Sequence, residues 1–373
     1  MSARTTASCR WRCWSPSTAR RCSAPPRRPF VPEPTLAGLT TLRLGGPAGS
    51  YVAAPDADAL VAAVSAADAA GEPVLLVGGG SNLVVADEGF AGTVVHLTGG
   101  GVEVVDDGCG VVSVTVAAGE PWDDLVARAV AEGWTGVEAL SGIPGTTGAT
   151  PVQNVGAYGQ EVAQTVARVR VWDRVLKGQR TFTAAECGFG YRHSRFKADP
   201  GRHLVLDVTF ELHPGDLSAP VAYAELARTL GVEVGERAPL ADVRAAVLGL
   251  RRGKGMVLDA ADHDTWSAGS FFTNPFVEPD RVPEGAPSYA QPDGRVKTSA
   301  AWLIEHAGFG KGYGLDRPDA RVSLSTKHTL ALTNRGGART TELLDLAREV
   351  RDGVRDRFEI GLVNEPVLVG ATL

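Results

Sequence analysis

Apolar and polar positions alternate along two stretches of the chain: Val112, Val114 and Val116 against Ser113 and Thr115, and Leu206, Val208, Phe210 and Leu212 against Asp207, Thr209 and Glu211. A strand turns successive side chains to opposite faces, so both stretches predict half-buried strands. The short apolar run from Val74 to Val77 predicts a further strand that enters a glycine turn. Helical spacing is seen at Leu60, Val61 and Val64, with Asp56 placed to cap the helix and Gly71 to end it. A second helix starts near Pro121, carries Asp123 and Asp124 where the helix dipole favours acids, and stops at Gly133. Upstream, Thr40, Leu42 and Leu44 predict an extended stretch closed by Gly45 and Gly46.

Pro214 and Gly215 interrupt the pattern, and the residues up to Pro220 predict a linker. Beyond it a second α/β region holds a helix over residues 241–250 and a long helix with Leu343, Ala347, Val350, Val354 and Phe358 on one face. A terminal strand runs through Val367 and Val369. Residues 1–34 fit none of these periods. They contain seven arginines and no acid before Glu33, and are set aside from the fold as an Arg-rich leader. A disordered tail or a start codon placed too far upstream is preferred to an organellar transit peptide.

A chain of 373 residues exceeds the size at which one core stops growing, so two or three subdomains are expected. With 44% hydrophobic and 21% charged residues and no apolar run near the roughly 20 residues that span a bilayer, it reads as soluble, with no membrane insertion. The net charge of −6 gives no general attraction for nucleic acid, so any phosphate must be held by a local site. Of five cysteines, Cys9, Cys13 and Cys22 lie in the leader, while Cys109 and Cys187 are far apart. That usage fits reduced cytosolic thiols rather than a disulfide framework, and no Cys/His cluster has metal-ligand spacing, so no metal is expected.

Five segments carry candidate chemistry. GGGSNL, residues 78–83, follows a predicted strand and offers amides to a pyrophosphate with no side chain in the way. Leu83, Val84 and Val85 continue as a strand where a Rossmann fingerprint would open a helix, and both a tight turn and a phosphate cradle fit. SGIPGTTGATPVQNVGAYG, residues 141–159, cannot form a regular helix; its many backbone donors need partners, either in the protein or in a bound polar ligand such as an isoalloxazine or a diphosphate. CGFGYRHSRFK, residues 187–197, sets Tyr191 beside Arg192, Arg195 and Lys197, cations suited to a carboxylate or a developing oxyanion, or else solvated salt-bridge partners. His193 there reads more simply as a surface or hydrogen-bonded histidine than as a base. In SAGSFFTNP, residues 267–275, Ser270 has small neighbours that leave room for substrate or merely allow a capped turn, and no G-x-S-x-G elbow supports a hydrolase. Glu365 in NEPVLVG is either a partly buried acid with an altered pKa or an edge-strand carboxylate facing water.

Together these segments occur in the order and spacing seen in UDP-N-acetylenolpyruvoylglucosamine reductases, a family the chain resembles over about residues 36–373. The resemblance implies an α+β fold, with a two-lobed FAD-binding domain of the vanillyl-alcohol-oxidase (PCMH) type over residues 35–214. A C-terminal α/β substrate-binding domain would cover residues 215–373, its last strand returning Glu365 to the active site. FAD is expected to be noncovalent, with its pyrophosphate on the loop of Gly78, Gly79, Gly80, Ser81 and Asn82. Ser141, Ile143, Gly145, Gly148 and Ala149 would line it. NADPH would reduce the flavin, leave, and be replaced by a UDP-sugar whose enolpyruvyl ether is reduced during peptidoglycan precursor synthesis in the cytoplasm.

By the same resemblance, Arg192 matches the arginine that stabilises the developing negative charge, Ser270 the proton donor, and Glu365 the acid that assists as a polar or proton-bearing partner. Tyr223, Lys254, Asn274, Tyr289 and Lys297 match positions that hold the diphosphate and uridine, and the Tyr223 segment marks the longer subtype with a closing tyrosine loop. A monomer is expected. The usual Pro-Glu-Val-Arg ending is here Asn364, Glu365, Pro366 and Val367, so its arginine is missing, and His328 replaces a polar residue often found near substrate. A sugar or alcohol oxidase on the same flavin domain is disfavoured because no Gly-Gly-His attachment segment is present. A binding protein without catalysis is disfavoured by the presence of Arg192, Ser270 and Glu365.

Overall fold

The first lobe is built from β1 (Ala48–Ala54), α1 (Ala57–Ala70), β2 (Val74–Val77), β3 (Leu83–Val85) and β4 (Phe90–Leu97). The computed structural model describes residues 35–106 and 110–373; the leader and Cys9, Cys13, Cys22 and Cys109 lie outside the described residues. Asp56 caps α1 as expected, accepting from Ala59 N at 2.8 Å, and Gly71 ends it at φ 70°. Strand β4 lies between β1 and β2 and is parallel to both. β3 leaves this sheet and pairs in parallel with the terminal strand Val367–Val369, Leu83 opposite Val367.

The second lobe is an antiparallel sheet on which α2 (Trp122–Ala131) packs. Its strand order is Gly178–Thr183, Val166–Asp173, His203–Pro214, β6 (Val112–Ala117), β5 (Val102–Asp106). Both alternating stretches are strands, and they pair with each other, Val114 opposite Phe210 and Val116 opposite Val208. Trp122 and Phe210 meet with ring centroids 5.8 Å apart in the core, and fully burying side chains of this size contributes about 1.5–3 kcal/mol each. The predicted alternation is interrupted once. Pairing jumps from Arg170–Asp207 to Val171–Val205, and this bulge sends Leu204 and Leu206 to the first lobe, against Leu60 and Val64, while Val205 and Val208 face α2.

Residues 215–220 are not a loose tether, because Gly215 N donates to Gly133 O and Ser218 N to Ala238 O, both at 2.8 Å. The short helix α3 (Arg195–Ala198) precedes this segment; α4 (Ala224–Leu230) and α5 (Leu240–Gly253) follow and share a small core with Tyr158. The last region holds α6 (Ala300–His306), α7 (Thr340–Phe358) and strands of two or three residues. In α7 the apolar face falls where expected, with Leu343, Ala347, Val350 and Val354 fully buried. The expected extended stretch at Thr40 to Leu44 is instead a turn. Thr40 Oγ1 donates to Leu44 O at 3.0 Å and Arg43 has φ 54°, because Leu42 and Leu44 both turn inward into the core of Phe271, Leu303 and α7.

Candidate active site

Two glycine segments form one wall of a cleft of about 420 Å³. Gly78–Asn82 joins β2 to β3, and backbone packs there against backbone. A Cβ on Gly79 would lie 2.7 Å from Gly145 Cα, and one on Gly80, whose φ is 58°, would lie 1.8 Å from Leu39 O. Side chains are therefore excluded on steric grounds. Ser81 Oγ donates to Pro144 O at 2.9 Å and Asn82 Nδ2 to Gln153 Oε1 at 3.0 Å, which tie the two segments together. Among the described residues, no backbone or side-chain acceptor takes the amides of Gly79, Gly80, Ser81 or Asn82.

The second segment is only partly available to a ligand. Ile143, Gly145, Gly148 and Ala149 line the cleft, but Gly148 N donates to Ala118 O and Ala149 N to Thr146 O. The amides of Gly148 and Ala149 are thus spent within the protein, and these two residues contribute shape. Ser141 does not line the cleft: it is fully buried, its hydroxyl donating to Glu138 O at 2.7 Å. Glu138, also fully buried, accepts in turn from Gly136 N, Gln160 Nε2 and Ala219 N, and so anchors the start of the segment.

The cleft also carries charge. Arg192, Lys197, Ser270 and Glu365 all line it. Arg192 Nε donates to Glu365 Oε1 at 2.9 Å and its terminal nitrogen to Gly156 O at 3.0 Å; Gln153 Nε2 approaches Glu365 Oε1 at 3.4 Å. Burial pushes the Glu365 carboxyl above its ordinary range, and the charges of Arg192 and Lys197 oppose that rise. Glu365 is therefore the partly buried acid, and the water-facing alternative is ruled out. Its position follows from the terminal strand: Glu365 N donates to Phe271 O at 2.8 Å and Asn364 bridges Phe272, so Glu365 is brought alongside the Ser270 segment. The Ser270 hydroxyl makes no protein hydrogen bond among the described residues. His193 is exposed, the surface histidine expected.

The five residues matched to substrate form two groups outside the cleft lining. In one, Lys254 pairs with Glu225 at 2.6 Å and lies 5.6 Å from the Tyr158 ring centre, which meets Tyr223 edge-on at 5.5 Å. In the other, Lys297 lies 4.5 Å from the Tyr191 ring centre and 5.9 Å from that of Tyr289, while Asn274 Oδ1 accepts from Ala300 N. Val367, at the position of the missing arginine, lines the cleft.

Sequence reading missed Arg251, which also lines the cleft. Its Nε is buried without a partner, and burial pushes its pKa down to about 10. A guanidinium with an unspent donor, free loop amides and a glycine wall form the donor set of a phosphate-bearing, flat-ringed cofactor.

That cofactor class is borne out by comparison. Residues 48–178 match the family described as "FAD binding domain", and residues 261–369 match "UDP-N-acetylenolpyruvoylglucosamine reductase, C-terminal domain". The chain is an FAD-dependent oxidoreductase of α+β architecture, with a two-lobed PCMH-type flavin domain and a C-terminal substrate-binding domain. It is 61% identical over 338 residues to the UDP-N-acetylenolpyruvoylglucosamine reductase of Cutibacterium acnes, covering 91% of this chain and 90% of that one. Against the same reductase from Thermobifida fusca it is 57% identical, covering 92% and 99%. The solved structure of the Thermus caldophilus reductase superposes with a TM-score of 0.60 at 26% identity, covering 90% of this chain and 97% of that one. The chain belongs to the UDP-N-acetylenolpyruvoylglucosamine reductase family. Among the described residues no helix is long and apolar enough to cross a membrane.

Proposed function

We propose that the protein reduces UDP-N-acetylenolpyruvoylglucosamine to UDP-N-acetylmuramate with electrons from NADPH, as a cytoplasmic monomer in peptidoglycan precursor synthesis, with no nucleic-acid partner. The FAD-binding part is assigned to residues 35–214 and the substrate-binding part to residues 215–373. The observation that carries the reading is the Arg192–Glu365 pair at 2.9 Å, in one cleft with Ser270 and the glycine wall.

The loop amides of Gly79 to Asn82 and the Arg251 guanidinium would hold the cofactor phosphates, and the glycine wall from Ile143 to Ala149 would accept the flat ring. When bound and reduced, the flavin would supply a hydride for the terminal carbon of the enolpyruvyl double bond. Arg192 then stabilises the negative charge that develops on the adjoining carboxylate. Ser270 Oγ delivers a proton to the other carbon of the former double bond, so hydride and proton together make the lactyl ether. An isolated serine is a weak acid, but the enolate carbon is basic, and a hydroxyl with no acceptor among the described residues is free to point at it. Glu365 holds the guanidinium in place. Lys254 with Tyr223, and Lys297 with Tyr289 and Asn274, bind the diphosphate and uridine, and the Lys254–Glu225 pair opens for the incoming phosphate.

Ser270→Ala tests the assignment. Under anaerobic NADPH the flavin band of the variant bleaches at the normal rate, and its recovery on adding the enolpyruvyl sugar slows by about 1,000-fold, the loss expected for a positioned proton donor. Normal recovery would remove Ser270 from the role, and an unaltered enzyme whose flavin is reoxidised by oxygen but not by the sugar would replace the reductase with an oxidase.

A further inference from the structure

Lys197 has no role in the scheme above, although it lines the same cleft. It sits on α3, whose N-cap Ser194 accepts from Phe196 N and Lys197 N while donating to Val152 O, so the helix is bolted to the floor of the cleft. Just before α3 the chain makes a tight turn closed by Gly190 N to His193 O at 3.0 Å and His193 N to Gly190 O at 3.1 Å. Arg192 occupies its third position with φ 51°, the left-handed region that side chains disfavour and glycine prefers. A large residue stays there only if its surroundings hold it. Two contacts do so from opposite ends: the guanidinium is held by Glu365 and Gly156 O, and the carbonyl accepts from Lys197 Nζ at 3.1 Å. Among the described residues that ammonium is the donor to Arg192 O.

The same ammonium is a second cation beside Glu365. The charged and titratable groups facing Glu365 are Arg192, Lys197 and Tyr191. Burial holds the Lys197 ammonium below its ordinary pKa, and the Glu365 charge opposes this, so carboxylate and ammonium support each other's ionised form.

We propose that Lys197 is a positioning residue of the reduction centre: by donating to Arg192 O it fixes the left-handed turn from which the guanidinium reaches Glu365, and it supplies a second positive charge beside that carboxylate. The assignment rests on the roles given above to Arg192 and Glu365. It separates two properties of one side chain, a hydrogen bond and a charge, which different substitutions remove. Lys197→Met removes both. Lys197→Gln keeps a donor without the charge, and Lys197→Arg keeps the charge with altered donor geometry.

The test uses the FAD-loaded full chain and three readouts: flavin reduction by NADPH, flavin reoxidation by the enolpyruvyl nucleotide sugar across pH, and the spectral shift when that sugar binds the oxidised enzyme. Lys197→Met is expected to keep flavin reduction within about twofold, to slow reoxidation by about 30-fold or more, and to weaken sugar binding by about tenfold. The pH limb governed by Glu365 moves up by about one unit, because losing a nearby cation raises a carboxyl pKa whichever form is active. Lys197→Arg restores the limb but not the full rate. Lys197→Gln restores part of the rate and leaves the limb displaced.

Reoxidation within about threefold of the unaltered enzyme, with the limb unmoved, would overturn the proposal. So would an equal slowing in all three variants with no pH shift, which is the mark of a merely structural lysine. If Lys197→Met holds no flavin, the Gln and Arg variants decide through the same contrast. If the unaltered enzyme itself does not reoxidise with the sugar, the reading of the whole site fails, and the lysine's role falls with it.

Discussion

The two sides of the cleft are made of different material. One side is backbone: the Gly78–Asn82 loop and the segment through Gly145, packed so closely that a single methyl has no room. The other is side chain: Arg192, Lys197, Ser270 and Glu365, delivered from a tight turn, a short helix, a loop and the residues leading into the terminal strand. A backbone wall offers neutral, immobile donors whose positions follow from packing, which suits a resident cofactor. A side-chain wall offers charge that responds to pH and to single substitutions, which suits a transition state. Substitutions on the first side should cost binding, and those on the second should cost turnover.

The strongest way to break this contrast is Gly79→Val. Its Cβ would meet Gly145 Cα at 2.7 Å, so the loops must separate, and FAD affinity should fall by at least about 100-fold, or about 3 kcal/mol. Titration of the apoprotein with FAD checks it, and normal affinity would show that the loops do not form the cradle. On the other wall, Arg192→Lys should leave FAD content unchanged while slowing reoxidation by the sugar about 100-fold, since an ammonium cannot reproduce the guanidinium fork held by Glu365 and Gly156. Loss of FAD in that variant would blur the division between the walls.

The smallest effect lies away from both walls and calibrates them. Burial, followed by the charges of Lys254 and Lys311, pushes the His328 imidazole down to about 4, with Glu225 opposing. The folded pKa is below the unfolded one. As pH falls from about 6.5 the unfolded chain takes up a proton that the folded chain refuses, and about 2 kcal/mol of stability is lost by about pH 5. His328→Gln should therefore show a smaller drop in Tm between pH 7 and pH 5 than the unaltered protein, and an identical drop would place the titrating group elsewhere.

Much of this was legible in the sequence because the signals were local. Asp56 and Gly71 bound α1, and Val112 to Val116 and Val208 to Leu212 pair as strands, through contacts a few residues long or a simple period of two. What was not legible depends on residues far apart in the chain. Leu206 leaves its alternation because a bulge answers the first lobe, and Leu42 with Leu44 forgoes a strand to fill the core of α7. Ser141 belongs to a motif that lines the cleft, yet it faces Glu138, whose partners Gln160 and Ala219 come from two other segments. Arg251 carried no signal beyond one arginine in a basic helix end; only the fold reveals its unspent Nε. Lys197 was visible as a cation, but its hold on Arg192 O depends on a turn geometry that spacing does not disclose.

The parallel pairing of β3 with Val367–Val369 also sets a clock. Leu83 leaves the ribosome long before Val367 is made, and at 5–20 residues per second the wait is roughly 15–60 s. During that interval the glycine cradle has no strand beside β3 and no Glu365 at its edge. The cleft is thus assembled from pieces made far apart in time, its loop early and the strand that borders it late.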